Sequence, residues 1–259
     1  MLFRSQVKAL GTAQVAGLNT AQIQALSTAQ FNSLGTSQVA ALSATQVGVI
    51  ETADITALTT SATATLNTAQ LAALSTAQVV ALSTAQVANL GSAQVAALTS
   101  AQVAGMQTVD VSSLSTNGIQ ALTSAQLGAL ATAQVRALTS TQVGSFTTSQ
   151  LAALNANQAA ALDTVDLAQL NSAQVRALTA DAVAGLTTAQ ITNLTTAQTQ
   201  SLTTAQVVAL GTAQVAALTT AQLANLSTDQ VAALRSSQVI GIETADLVTL
   251  TTDTLGALT

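Results

Sequence analysis

An apolar residue stands at every eighth position of this chain from Leu2 onward, through thirty-two octads that cover residues 2–257 without an insertion. It is Leu in 28 of them, with Ile50, Met106, Phe146 and Ile242 in the other four, so the fold must be built from a unit that also repeats every eight residues. Five residues after each of these, from Val7 to Leu255, comes a second column of Val, Ile, Leu or Phe, broken at Thr63, Ala159 and Thr199. The pattern is clearest at 74–98, LSTAQVVALSTAQVANLGSAQVAAL.

A period of eight excludes the regular structures. One continuous helix would turn by about 80° beyond two full turns per octad, so the Leu column would spiral round every side. The heptad of a coiled coil is absent. In a plain strand, spacings of five and three would put the Leu and Val columns on opposite faces. Each octad must therefore contain a break, and its chemistry identifies the break. The residue after Leu is Ser, Thr, Asn, Asp or Gly in 26 of 32 octads, which are the preferred helix N-caps. Three residues later stands Gln in 24 octads and Asp in four more. In Leu74-Ser75-Thr76-Ala77-Gln78-Val79 this spells a capping box between Ser75 and Gln78, with Leu74 and Val79 placed to close over it as a hydrophobic staple.

The expected fold is an all-α solenoid of about 32 very short helices, one per octad, each of six or seven residues and so about 10 Å long. Helices of that length do not survive alone, so stacked neighbours must supply the stability. Leu and Val are expected in a shared core. The residue before each Leu, usually Ala, Gly, Ser or Asn, would allow close approach between elements. The position after Val, which holds Lys8, Gln24, Arg136, Arg176 and Gln200, is expected to face water. A β-solenoid is the alternative, because Thr and Val favour strands and regular Gln columns can form ladders. Two to four octads per superhelical turn are all compatible with the pattern. Residues 1–259 read as one continuous array with no internal boundary.

Composition narrows function. The chain is 49% hydrophobic, enough to bury a core, yet only 6% charged and 1% aromatic, with no Pro, Cys, His, Trp or Tyr. That removes the common general base, the thiol nucleophile and thiolate metal sites. A net charge of −5 argues against a nucleic-acid or anionic-lipid surface. Mean hydropathy is high, +0.51, but Ser, Thr and Gln interrupt every octad, so no membrane span is expected. The start, MLFRSQVKAL, has no apolar run of a signal peptide.

The sharpest acidic pairs are Glu51 with Asp54, Glu243 with Asp246, and Asp163 with Asp166. Carboxylates three apart could share a proton or hold Ca²⁺, but favourable placement of charge at a helix N-terminus accounts for them, and no other acid is near in sequence. No catalytic, cofactor-binding or metal residue is assigned, and no small-molecule substrate is expected. Ser or Thr stands two residues after Leu in 28 octads, a column from Thr12 to Thr252 broken at Arg4, Ala44, Ala156 and Ala180. A flat hydroxyl array of this kind would be an ice- or polymer-binding surface; end-group bonding in the first helical turn is the plainer explanation. Four octads, Leu58–Thr65, Leu114–Ala121, Leu154–Ala161 and Leu178–Gly185, lose the Gln, the Val or both, and are read as decayed units or local binding spots.

Leu202–Leu210, LTTAQVVAL, resembles the opening of a TAL-effector DNA-binding repeat, but the second long helix, the base-reading loop and the positive charge of that family are missing. Over essentially its whole length the chain is similar to the TAQV-type octapeptide tracts of very large secreted or surface repeat proteins of bacteria. Acidic, Cys-free, Lys-poor chains also resemble substrates of one-step secretion channels. The resemblance implies an extracellular or cell-surface site and a non-enzymatic, rod-like spacer or fibre-forming segment, as in an adhesin stalk. Ends that begin and finish in register imply a fragment of a longer chain or end-to-end self-association.

Overall fold

The computed structural model of the chain describes residues 4–258. Among them each octad carries one helix, thirty-two in all from α1 (Arg4–Lys8) to α32 (Thr252–Gly256), and none of the described residues is in a strand. The β-solenoid alternative is thereby overturned. The helices are four to six residues long, shorter than the expected six or seven. Two consecutive extended residues are needed to redirect the chain between helices, and the octad supplies them as Leu and its cap. Leu98, for example, has φ −64° and ψ 145°, and Thr99 after it φ −74° and ψ 157°. The Leu98 N–H still donates to the Val95 carbonyl at 3.2 Å, so the corner is tied to the helix it leaves. No described residue has positive φ, so the corners need no glycine.

The start of each helix follows its capping signal. In α10 (Thr76–Val80), the Gln78 N–H donates to Ser75 Oγ at 3.2 Å and the Ser75 N–H donates to Gln78 Oε1 at 2.6 Å. At Gly11, Gly35, Gly91 and Gly211 only the second bond forms, because glycine has no side chain to accept the first. The two halves of the box are thus separable. Replacing Ser75 by Ala should remove the first half and cost about 1 kcal/mol of resistance to urea, read by circular dichroism. A loss indistinguishable from zero would show that the Gln half alone holds the helix start.

The chain forms two compact units, one ending at Leu130 and the other beginning at Ala131. Within each, helix n packs on helix n+3: α10 on α13 (Ser100–Gly105) in the first, and α23 (Ala180–Gly185) on α26 (Thr204–Ala209) in the second. The core is the two apolar columns, with Val79 at 1% and Leu82 at 3% exposure as typical members. Burying each such side chain contributes about 1.5–3 kcal/mol, which short isolated helices could not obtain. Lys8, Gln24, Arg136, Arg176 and Gln200 are exposed, as expected of the position after Val. Thr63 and Thr199, which interrupt the Val column, are fully buried, and each hydroxyl donates to the carbonyl four residues earlier, Thr59 at 3.2 Å and Thr195 at 3.1 Å. That local bond satisfies the polar atom and lets Thr fill a Val site.

Candidate functional site

Gln at the fifth position of the octad is the residue around which the solenoid is organised. It lies in the first turn of its helix and is buried: Gln70, Gln86 and Gln222 are each 1% exposed. Its amide has two ends, and they do different things. Oε1 of Gln78 accepts from the cap N–H of its own octad, while Nε2 donates to the carbonyls of Val47 at 3.1 Å and Ile50 at 2.7 Å, 31 and 28 residues back. Gln70, Gln102 and Gln126 repeat this in the first unit, and Gln190, Gln206 and Gln238 in the second. The carbonyls reached are those left open at the C-terminal end of a helix one turn below. One side chain therefore satisfies a donor at the start of its own helix and acceptors at the end of another.

The spacing also sets the superhelix. Hydrogen bonds between successive turns fall at separations from 23 residues (Gln86 Nε2 donating to Thr63 Oγ1, 3.2 Å) to 31 residues, with the shortest bond of the Gln bridge at 28. A turn thus takes about three and a half octads, since 28 is three and a half times eight. Equivalent positions in successive turns are then offset by about half an octad. The Thr column is largely exposed. Several of its hydroxyls are occupied by contacts between turns: Thr84 Oγ1 donates to Asp110 Oδ1 at 2.9 Å and Thr212 Oγ1 to the Ser237 carbonyl at 3.0 Å.

The acidic pairs divide. Asp163 and Asp166 form the capping arrangement, the Asp163 N–H lying 3.4 Å from Asp166 Oδ2. Asp166 and Asp246 also accept from hydroxyls 26 residues back, Ser140 at 2.7 Å and Thr220 at 2.6 Å. Glu51 and Glu243 occupy cap positions without a side-chain cap bond. One methylene shorter than Gln and without an N–H, Asp cannot make the double bridge, so it takes a hydroxyl instead. Among the described residues no three acidic side chains converge as a metal would require, and no helix is long and apolar enough to cross a membrane.

The departures from consensus at Leu154–Ala161 and Leu178–Gly185 meet in space. They carry α20 (Ala156–Ala161) and α23, which lie three octads apart and stack directly. An open groove of about 700 Å³ runs beside this contact, lined by Asn155, Asn157, Thr179 and Asp181 among others. Thr179 is occupied in capping α23 through the Ala182 N–H, and Asn155 caps α20 through the Gln158 N–H, which leaves the Asp181 carboxylate and the exposed Asn157 amide as the polar groups the groove presents.

Repeated capped helices, a two-column core and a side-chain bridge between turns define an all-α solenoid repeat protein. The chain belongs to the ALTTAQ repeat family, whose model matches it in ten overlapping segments running from residue 5 to residue 241. The six letters of the family name stand unaltered at Ala217–Gln222. No curated protein matches the chain.

Proposed function

We propose that the chain is a non-enzymatic structural array, a spacer or fibre-forming segment of a secreted or surface protein of the adhesin-stalk type. The observation that supports this is the Gln bridge. In consensus octads it joins a turn to the next by the same two bonds, so added consensus octads extend the array without creating a new kind of contact. The surface between the columns is Ala, Thr and Ser, and only 6% of the chain is charged. An extracellular site accords with the absence of Cys and with the tracts the sequence resembles.

A length series tests the reading. Inserting seven octads in register between two consensus octads adds two turns, and with helices stacked 8–10 Å apart the largest dimension in small-angle scattering should grow by about 20 Å at unchanged helical content per residue. An added segment that leaves the largest dimension unchanged, or that lowers the helical signal, would remove the spacer function.

A further inference from the structure

Two adjacent octads in the first unit lack the bridging amide. Residues 54 and 62 stand at the Gln position but are Asp and Ala, and neither side chain can donate to a carbonyl in the turn below. By the spacing of the other bridges, the carbonyls left without a Gln are those of Ile23 and Leu26 and of Phe31 and Leu34. The same pair of vacancies returns at Asp110 and Gly118, 56 residues further on, which is two turns of 28. Thr84 offers Asp110 one hydroxyl bond in place of two amide bonds. Between the two vacancies, Gln70, Gln78, Gln86, Gln94 and Gln102 form an unbroken run of bridges.

We propose that these paired vacancies are opening seams: places, two turns apart, where neighbouring turns part transiently while the bridged turns between them stay closed. Two of the roughly three and a half octads in a turn lose the Gln bridge to the turn below and keep single exposed or half-buried bonds, such as Thr65 Oγ1 to the Thr36 carbonyl at 3.2 Å. Local opening follows the fewest buried bonds. The Leu column continues through both seams, and the Val column is interrupted only at Thr63, which is fully buried with its hydroxyl bonded to the Thr59 carbonyl. The inference holds whatever the array presents or spans.

Amide hydrogen exchange tests it at matched sites. The N–H of Ile55 and Thr63 at the first seam, and of Val79, Val87 and Val95 in the bridged run, all donate to the carbonyl four residues back at 2.9–3.1 Å in residues at most 1% exposed. Ile55 differs from the three Val sites in the bridge, and Thr63 differs from them in the bridge and in its side chain, so Ile55 is the deciding site. Exchange at Ile55 and Thr63 is expected to be about tenfold faster than at the other three, the order of effect of losing one or two net hydrogen bonds. Equal rates would overturn the proposal. Asp54→Gln with Ala62→Gln should slow the seam to the rate of the bridged run, and seam amides that stay fast in a folded variant would overturn it. Gln86→Ala with Gln94→Ala should move a fast window to Val87 and Val95, and unchanged rates there would do the same.

Discussion

Gln86→Glu is expected to cost about 3–5 kcal/mol at neutral pH, although the two side chains have nearly the same shape. Gln86 Nε2 donates to the Ile55 carbonyl at 2.9 Å, the Leu58 carbonyl at 2.8 Å and Thr63 Oγ1 at 3.2 Å, in a residue 1% exposed. A carboxylate there would set negative oxygen against two carbonyl oxygens, with the Thr63 hydroxyl as the one neighbour on that side able to turn and donate to it. Burial and those facing oxygens would raise its pKa above the roughly 4.3 of an unfolded Glu. The sign follows: the folded state would bind the proton more tightly than the unfolded chain, so the penalty is small below about pH 4 and grows as pH rises through the raised value. Urea melts of parent and variant at pH 4 and pH 7 should show the difference widening at pH 7. Gln86→Ala, which removes the same bonds without a charge, should lack that pH dependence. A pH-independent cost for Gln86→Glu would mean that water, not the carbonyls, surrounds this position.

Much of the fold is legible in the octad itself, because the interactions that start each helix are local. Ser75 and Gln78 are three residues apart, and Leu74 and Val79 five, so their pairing can be read along the chain. The bridge cannot be read in that way. Its partners lie 28 and 31 residues away, neither a multiple of eight, and the number of octads per turn depends on how successive helices settle on one another. A trace of it was present nonetheless. A capping box accepts Glu as readily as Gln, yet the fifth position holds 24 Gln and no Glu. That bias is explained by the Nε2 end, which only an amide provides. Helix length was overestimated because Leu itself leaves the helix to form the corner, as Leu98 does. The irregular octads lost their meaning in one dimension, since Leu154–Ala161 and Leu178–Gly185 compensate each other only when stacked.

That compensation predicts the second large effect, at Gly185. A Cβ built there would lie 2.5 Å from the Ala156 carbonyl oxygen and 2.7 Å from both Ala156 Cα and Cβ. None of these atoms can rotate away, so Gly185→Ala must push α23 off α20. Overpacking of this kind is expected to cost about 3 kcal/mol, well beyond the small gain Ala brings to a helix. Gly105 stands at the same octad position in α13, but there the added Cβ meets the Thr76 methyl, the far end of a side chain that can turn aside. Gly105→Ala should therefore cost clearly less. At Gly256 nothing lies within 4 Å, and Ala there should be neutral or slightly stabilising. Urea unfolding of the three variants side by side is the measurement, with the order Gly185, Gly105, Gly256 in decreasing cost. If Gly185→Ala proved as mild as Gly256→Ala, α20 and α23 would not be packed backbone to backbone. The two irregular octads would then be decayed repeats rather than a matched pair, in which Ala156 and Gly185 are small because each stands where the other's helix must fit.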